Sequence, residues 1–198
     1  MDLGTIFDYT LIYSTIRAST PILFATLAAV ITQQGDILNI GVEGIMLVSA
    51  FSAVLISYLT SNWLLGIAVA MIVGVIMAMI MAVASIKYNA DITAIGMAIN
   101  MLALAVTKFG IKQFLGTTGS FTDPKIAGIP RLHFGFLEKY KYLNGIFNNW
   151  SLMEVIGILM VLALTFVLYH TVWGLRLRSV GRLPMAAETA GINVKSIK

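Results

Sequence analysis

The sequence predicts an all-α, polytopic membrane protein with about five transmembrane helices and a basic segment near its end. Hydrophobic residues make up 59% of the 198 residues and charged residues only 11%, whereas soluble domains carry about 25% charged residues. The charges are also unevenly placed, because no Asp, Glu, Lys or Arg lies between Glu43 and Lys87 or between Glu154 and Arg176. A membrane span needs about 20 mostly apolar residues, so the first gap can hold two spans and the second can hold one.

Apolar runs separated by polar breaks give the position of each helix. The predicted helices cover about 6–32, 40–59, 63–86, 91–115 and 152–173. The first contains Arg17 and Pro21 and is therefore less regular than the others. The second could also be a short or re-entrant helix, and hydropathy does not separate these alternatives. The polar stretch 116–151 is predicted to be a loop, because it holds two prolines and several glycines.

The basic residues predict the orientation. Cytoplasmic flanks of spans carry an excess of Lys and Arg, and Arg176, Arg178 and Arg182 follow directly after the fifth helix. We therefore expect the segment 174–198 on the cytoplasmic side and the loop 116–151 outside. A re-entrant second helix would reverse the side of everything before it.

The third predicted helix carries small residues at every fourth position, which places them on one face. They are Gly66, Ala70, Gly74, Ala78 and Ala82. Small residues allow another helix to approach closely, so we interpret this face as a helix-packing surface, with substrate contact as the alternative.

The fourth predicted helix carries a polar stripe with a period of seven. Its members are Thr93, Asn100 and Thr107, and Gly96, Ala103 and Gly110 lie beside them. An Asn inside a span is costly unless it faces protein or water. The stripe therefore predicts either an interhelical hydrogen bond or a face that lines a polar pathway.

The second predicted helix opens with Asn39 and Glu43, and glycines 41 and 44 flank the carboxylate. At a membrane boundary Glu43 is a charge favoured by the helix dipole. Inside the protein it would instead be a polar node of a pathway. Both interpretations remain open at the level of the residues.

Several classes of site are absent from the sequence. Cysteine does not occur, and the two histidines, His133 and His170, lie far apart, so we expect neither a thiolate metal site nor a His cluster. The Walker A, G-x-S-x-G and H-E-x-x-H patterns are missing as well. The basic residues do not form the long clusters of a nucleic-acid groove. We therefore expect no enzyme, no metal, no cofactor in this chain and no nucleic-acid partner.

Three stretches together resemble one family of transporters. The run LNIGVEGIML at 38–47 resembles the signature near the start of ABC importer permeases of the branched-chain amino acid, ribose and nucleoside group. Its form is most similar to the nucleoside and simple-sugar branch. The run GLRLRSVGRLPMAAETAGI at 174–192 is similar to the cytoplasmic coupling segment of the same permeases, and 89–102 resembles a third landmark. Glu188 follows the alanines here, which departs from the Glu-Ala-Ala order of ABC importers in general.

The resemblance implies a membrane-spanning permease subunit of an ATP-driven importer in the plasma membrane, moving nucleosides or related small solutes inward. It implies ABC ATPase subunits that bind ATP, a second permease subunit and an extracytoplasmic substrate-binding protein as partners. We expect the pathway to be lined by Asn39, Glu43, Thr93, Asn100 and Thr107. We expect the ATPase to contact Gly181, Pro184, Ala186, Ala187, Glu188 and Gly191. Because such permeases continue with more spans, we also expect this chain to be the N-terminal part of a longer permease.

Two other functions fit the residues. A secondary transporter would use an ion gradient and would need intramembrane carboxylates or broken helices, for which Glu43 is the candidate. A non-transport membrane assembly protein would use the small-residue face of the third helix. An importer, unlike either alternative, predicts a surface near 184–191 that binds an ATPase.

Overall fold

A computed structural model describes residues 9–88, 90–117, 121–132 and 150–197. Its elements in chain order are α1 (Tyr9–Gln34), α2 (Val42–Thr60), α3 (Trp63–Ala82), α4 (Ile92–Leu115), β1 (Arg131–Leu132), β2 (Trp150–Ser151), α5 (Leu152–His170), α6 (Val172–Arg182), α7 (Pro184–Thr189) and α8 (Val194–Ile197). Parts of the predicted first helix (6–8), loop (118–120 and 133–149, with His133) and tail (198) lie outside the described residues, as does residue 89 of the third landmark.

Five of the described helices are long and apolar enough to cross a membrane. These stretches are Tyr13–Gln34, Val42–Thr60, Trp63–Lys87, Ile92–Leu115 and Leu152–His170. The prediction of an all-α, polytopic membrane protein is therefore confirmed. The second predicted segment forms a continuous helix of 19 residues, which is long enough to span the apolar core of a bilayer.

The fifth helix differs from its predicted range. It was predicted over 152–173, but it ends at His170 because Thr171 adopts an extended backbone with φ −115° and ψ 154°. A new helix, α6, begins at Val172. Hydropathy does not register this break, since the apolar run continues through Trp173.

The described residues fall into two units. The first unit contains those of Met1–Leu27 and Ile129–Thr171. In it, β1 pairs antiparallel with β2, and α5 starts with a capping box in which Glu154 accepts a hydrogen bond from the Ser151 N–H at 3.0 Å. A Cβ added at Gly157 of α5 would lie 3.3 Å from Leu23 of α1, so α1 and α5 approach closely at this glycine.

The second unit contains Ala28–Gly128 and Val172–Lys198, and its centre is formed by α2, α3 and α4. Glycines set the helix spacing. A Cβ at Gly66 of α3 would lie 2.9 Å from the Ala53 carbonyl oxygen of α2, and one at Gly96 of α4 would lie 2.9 Å from Ile40. Real Cβ atoms do not approach other atoms this closely, so these helices meet through backbone that larger residues would push apart.

A short π-helical turn, Val83–Lys87, continues α3 at its C-terminal end. The Tyr88 N–H bonds back to the Val83 carbonyl, and the Ala90 N–H bonds to Ala84. Asp91 then caps α4 by accepting the N–H groups of Thr93 and Ala94, a role for which Asp is one of the preferred residues.

The C-terminal helices α6, α7 and α8 also belong to the second unit. Gly174, Leu177 and Val180 form the buried face of α6. A Cβ at Gly35 would lie 3.2 Å from Leu177, so this face packs on the turn that ends α1.

Candidate functional site

Asn100 of α4 holds the irregular backbone that precedes α2. Its side-chain Oδ1 accepts the Gly44 N–H at 2.8 Å, and its Nδ2 donates to the Ile40 carbonyl at 3.1 Å. The first N–H groups of a helix have no partner within the helix, so the amide replaces a missing bond at the start of α2. Gly44 is needed for this contact, because a Cβ there would lie 2.9 Å from the Asn100 Cα.

Glu43 lies beside this amide bracket, in the first turn of α2. Glu43 and Asn100 line a crevice of about 210 Å³ together with Gly44, Leu47, Met101 and Leu104. The carboxylate is exposed, so it is available to accept hydrogen bonds from a molecule in the crevice. Two of the five predicted pathway residues therefore lie in one place.

Asn39 lines a different cavity. This cavity, of about 170 Å³, is formed between the end of α1 and the end of α3, with Thr32, Met81 and Ser85 among its lining residues. The Asn39 Oδ1 is buried and has no hydrogen-bond partner among the described residues. The structure thus separates Asn39 from the crevice that contains Glu43.

The remaining members of the polar stripe divide between surface and interior. Thr93 is exposed in the first turn of α4. Thr107 is 6% exposed, and its hydroxyl has no partner within the described part of the chain. Gly96, Ala103 and Gly110, which accompany the stripe, are buried. Of the stripe itself, Thr107 is packed within the second unit, Asn100 lines the crevice and Thr93 lies at the surface.

The small-residue face of α3 is used in two ways. Gly66 and Gly74 lie against α2, where a Cβ at Gly74 would come within 3.0 Å of the Ser49 Oγ. Ala70 is half-buried. Ala78 and Ala82 instead border the cavity that contains Asn39.

The predicted coupling helix is short and defined at both ends. Pro184 occupies its first turn, a position where the missing N–H costs nothing. Gly191 has φ +80°, the Ile192 N–H bonds to the Ala187 carbonyl at 3.0 Å, and the Gly191 N–H bonds to Glu188 at 2.9 Å. These two bonds form a Schellman motif, which fixes how the chain leaves α7.

The two alanines of α7 differ in exposure. Ala187 is 4% exposed, so it packs inside the segment, whereas Ala186 and Glu188 are exposed. Met185 is 84% exposed and was not predicted. The outward surface, which we name the α7 face, therefore consists of Met185, Ala186 and Glu188.

Gly181 attaches α6 to the end of α1. A Cβ added there would overlap the Gln34 carbonyl oxygen and lie 3.1 Å from the Asp36 N. This turn is itself a Schellman motif, since the Ile37 N–H bonds to Thr32 and the Asp36 N–H bonds to Gln33, with Asp36 at φ +61°. Gly181 was predicted to contact an ATPase, but in the structure it contacts this chain.

The sequence did not identify the partners that these residues contact. These partners are backbone groups, and the identity of a side chain does not predict which backbone atom a distant residue will contact. They are the backbone of Ile40 and Gly44, the Gln34–Asp36 turn and the π-helical turn. The buried face of α6 did leave a signal, because Gly174, Leu177 and Val180 recur every third residue within a basic run.

No group of three metal-ligating side chains occurs among the described residues. Asp91 lies outside the spans, and hydrogen bonds from the Ala94 and Thr93 backbone lower the pKa of its carboxyl. The arrangement offers a carboxylate in a crevice and a short, exposed helix with defined ends, which other molecules can contact.

Comparison with known proteins identifies relatives over almost the whole chain. The family described as "Branched-chain amino acid transport system / permease component" matches residues 11–198. The guanosine ABC transporter permease protein NupQ of Bacillus subtilis is 34% identical, with 99% of this chain and 61% of that protein covered. The nucleoside ABC transporter permease protein NupC of Lactococcus lactis is 32% identical, with 89% and 57% covered.

A third relative, the putative glucose ABC transporter permease protein TsgC13 of Haloferax volcanii, is 28% identical over 93% of this chain and 55% of that protein. The chain therefore spans little more than half the length of the relatives that it matches. No solved structure matches it significantly. The resemblance drawn from the three stretches of sequence is confirmed.

Proposed function

Because the chain belongs to the permease family of branched-chain amino acid transport systems, we propose that it is a membrane-spanning subunit of an ATP-driven importer for nucleosides or related small solutes. The family match over residues 11–198 carries this proposal. The family and the named relatives are transporter permeases, not enzymes. ATP is then bound and hydrolysed by a separate ATPase chain.

The coupling segment supports an ATP-driven mechanism. The α7 face stands outward from a helix that Pro184 and the Gly191 Schellman motif hold in shape. Met185 offers a large apolar surface, and the small Ala186 lets a partner approach closely. We assign ATPase contact to the α7 face, and we assign Gly181 and Ala187 to holding that face in position.

A continuous chain of contacts leads from the α7 face towards the crevice. Leucine 183 joins α7 to α6, and Gly181 of α6 lies against the Gln34 backbone. Residues 35–41 then connect this turn to α2, whose first turn is held by Asn100. Movement of α7 by an ATPase would therefore act on the start of α2, where Glu43 is located. Coupling of this kind needs a physically connected element that both sites bias.

We assign the pathway to the crevice of Glu43 and Asn100. The Glu43 carboxylate accepts hydrogen bonds, whereas Asn100 has its amide engaged by the backbone and shapes the crevice. Thr93, Thr107 and Asn39 lie outside this crevice, and we assign them no solute contact. In this proposal the transporter lies in the plasma membrane, and a second permease subunit completes the pathway. An extracytoplasmic binding protein delivers the solute.

Uptake of a radiolabelled nucleoside tests the proposal. The permease gene is expressed with its ATPase and binding-protein genes in cells that lack nucleoside uptake. We expect uptake that stops on ATP depletion and survives dissipation of ion gradients. Ala186→Arg should abolish uptake while leaving membrane insertion intact, and Gly128→Ala, at an exposed loop glycine with open space around it, should transport normally. Uptake that persists without ATP and collapses with an ion gradient would identify a secondary transporter instead.

A further inference from the structure

Helix α6 has an exposed face on which arginines flank apolar residues. At 100° per residue, Arg182 and Arg176 bound an arc of roughly 120°. Val172, Leu175 and Ser179 lie within the arc, and Val172 and Leu175 are 66% and 61% exposed. Both arginines are exposed, and no ion pair joins either to the rest of the described chain. We name this surface the α6 outer face.

The opposite side of α6 is already occupied. Gly174, Leu177 and Val180 are buried, and Gly181 lies against the Gln34 backbone. The helix is therefore fixed in rotation by its contacts within the second unit. The third arginine, Arg178, lies between the two sides, and its Nε donates to the Gly174 carbonyl at 3.4 Å.

The ends of two candidate spans place α6 at the edge of a bilayer. Only Thr171 separates its first residue from His170, the last residue of a candidate span. Its buried face packs on Gly35, directly after Gln34, the last residue of another candidate span. A helix that follows one candidate span in the chain and packs on the residue after another is expected at the depth of lipid headgroups. Trp173, which is 46% exposed, is a residue type enriched at that depth.

We propose that the α6 outer face binds anionic phospholipids, with Arg176 and Arg182 contacting headgroup phosphates and Val172 and Leu175 entering the boundary of the acyl chains. Guanidinium groups bind phosphate oxygens through paired hydrogen bonds. Amphipathic helices with apolar and basic residues lie in the membrane interface in this way. Each basic residue near an anionic leaflet adds electrostatic attraction. The inference is independent of the proposed transport function.

A lipid surface explains this composition better than an ATPase does. The α7 face already supplies an outward surface beyond α6. Arginines on both edges of an apolar strip allow their aliphatic stems to cover the strip while their charged ends reach the phosphates. An anionic leaflet therefore complements the arginines at both edges of the arc as well as the apolar residues between them.

Tryptophan quenching by brominated lipids tests the inference. Trp63→Phe, Trp150→Phe and Trp173→Phe remove the three tryptophans of the chain, and Leu175→Trp places a single reporter within the α6 outer face. The protein is reconstituted in vesicles of phosphatidylcholine and phosphatidylglycerol at a fixed 7:3 ratio, with bromine on one lipid or on the other. After correction for mole fraction, we expect brominated phosphatidylglycerol to quench roughly twofold more strongly than brominated phosphatidylcholine.

Matched variants assign the preference to the α6 outer face. Arg176→Gln with Arg182→Gln should return the corrected quenching ratio to one, while Arg176→Lys with Arg182→Lys should keep most of the preference. Lys108→Gln with Lys112→Gln removes two exposed charges from α4 and should change nothing.

Three results would overturn the inference. The first is a corrected quenching ratio of one in the protein with both arginines. The second is a preference for phosphatidylglycerol that survives Arg176→Gln with Arg182→Gln. The third is an equal loss of that preference in the α4 control, Lys108→Gln with Lys112→Gln. A face that binds ATPase instead would give a ratio of one, together with loss of ATPase co-purification in the arginine-to-glutamine variant.

Discussion

The helix core α2–α4 and the C-terminal segment α6–α8 are held by the same kind of contact, but the core has several such contacts and the segment has one. In both, a glycine lies directly against backbone of another element. The core repeats this contact at Gly44, Gly66 and Gly96, and Gly110 lies against the Phe51 ring. The segment makes it at Gly181, supported by the contact of Leu177 with Gly35. We therefore expect the core to tolerate loss of one contact better than the segment does.

Their outward surfaces differ as well. The core exposes large apolar side chains, such as Met71 and Phe109, at 67% and 68%, which suits lipid. The segment exposes arginines, Glu188 and a few apolar residues. The surface of the core therefore suits the apolar interior of the membrane, and the surface of the segment suits contact with charged and polar groups.

The largest effect is expected from Gly181→Ala. Its Cβ would overlap the Gln34 carbonyl, and backbone atoms cannot move aside cheaply, so α6 should separate from the end of α1. Overpacking typically costs about 1–3 kcal/mol, and a cost in that range raises trypsin cleavage at Arg176 and Arg182 by about fivefold or more. Gly128→Ala is the control, because nothing lies within 4 Å of its Cβ. Equal cleavage of the two variants would show that Gly181 does not attach the segment.

Asn100→Leu tests the core's polar contact. It removes both hydrogen bonds of the amide bracket and leaves the Gly44 N–H and the Ile40 carbonyl without this partner, at a cost of about 1–2 kcal/mol. Unfolding in detergent mixtures measures the loss. Thr93→Val, at the exposed end of the same stripe, should change stability little. Similar losses in the two variants would contradict the distinction drawn between these residues.

A pair of alanine variants separates the inner and outer sides of α7. Ala187→Leu inserts a large side chain at a position that is 4% exposed, and should destabilise the segment by about 1 kcal/mol or more. Ala186→Leu, at an exposed position, should not. The temperature at which a protease begins to cleave the segment distinguishes the two variants. A lower temperature for Ala186→Leu than for Ala187→Leu would contradict our assignment of the buried and exposed sides.

The smallest effect concerns Asp91, which caps α4. Its pKa is lowered in the folded protein by hydrogen bonds from the Ala94 and Thr93 backbone. The stabilisation is therefore present above the ordinary pKa of 3.8 and is lost as the pH falls through the lower folded value. Asp91→Asn should keep a cap and lose this pH dependence, and Asp91→Ala should lose both. An unchanged acid unfolding midpoint in both variants would argue against the cap.

The seven-residue period predicted which residues of the fourth helix contact the rest of the protein. It did not predict which atoms they contact. The seven-residue period identified Asn100, Gly96, Ala103 and Gly110, because burial against a neighbouring helix repeats with the helix turn. It could not show that Asn100 bonds to backbone of residues 40 and 44, since those partners have no side-chain signal. Thr93 has the same period but lies at the helix end, beyond the packed region.

The segment shows the same division. Pro184 and Gly191 could be assigned to helix ends, because their backbone preferences are local. The burial of Ala187 and the contact of Gly181 with Gln34 depend on tertiary packing. The break at Thr171 was also missed, because one extended residue within an apolar run leaves hydropathy unchanged.

Cross-linking of the α7 face to the ATPase tests the coupling proposal most directly. Residues 1–198 contain no cysteine, so Met185→Cys, Ala187→Cys and Gly128→Cys each place one thiol in this part of the protein. In membranes containing the complete transporter, we expect Met185→Cys to cross-link to an ATPase subunit, with a yield that changes on ATP binding, and we expect the other two not to. A transporter that takes up nucleoside normally but shows no cross-link at residue 185, or an equal one at residue 128, would contradict the proposed coupling.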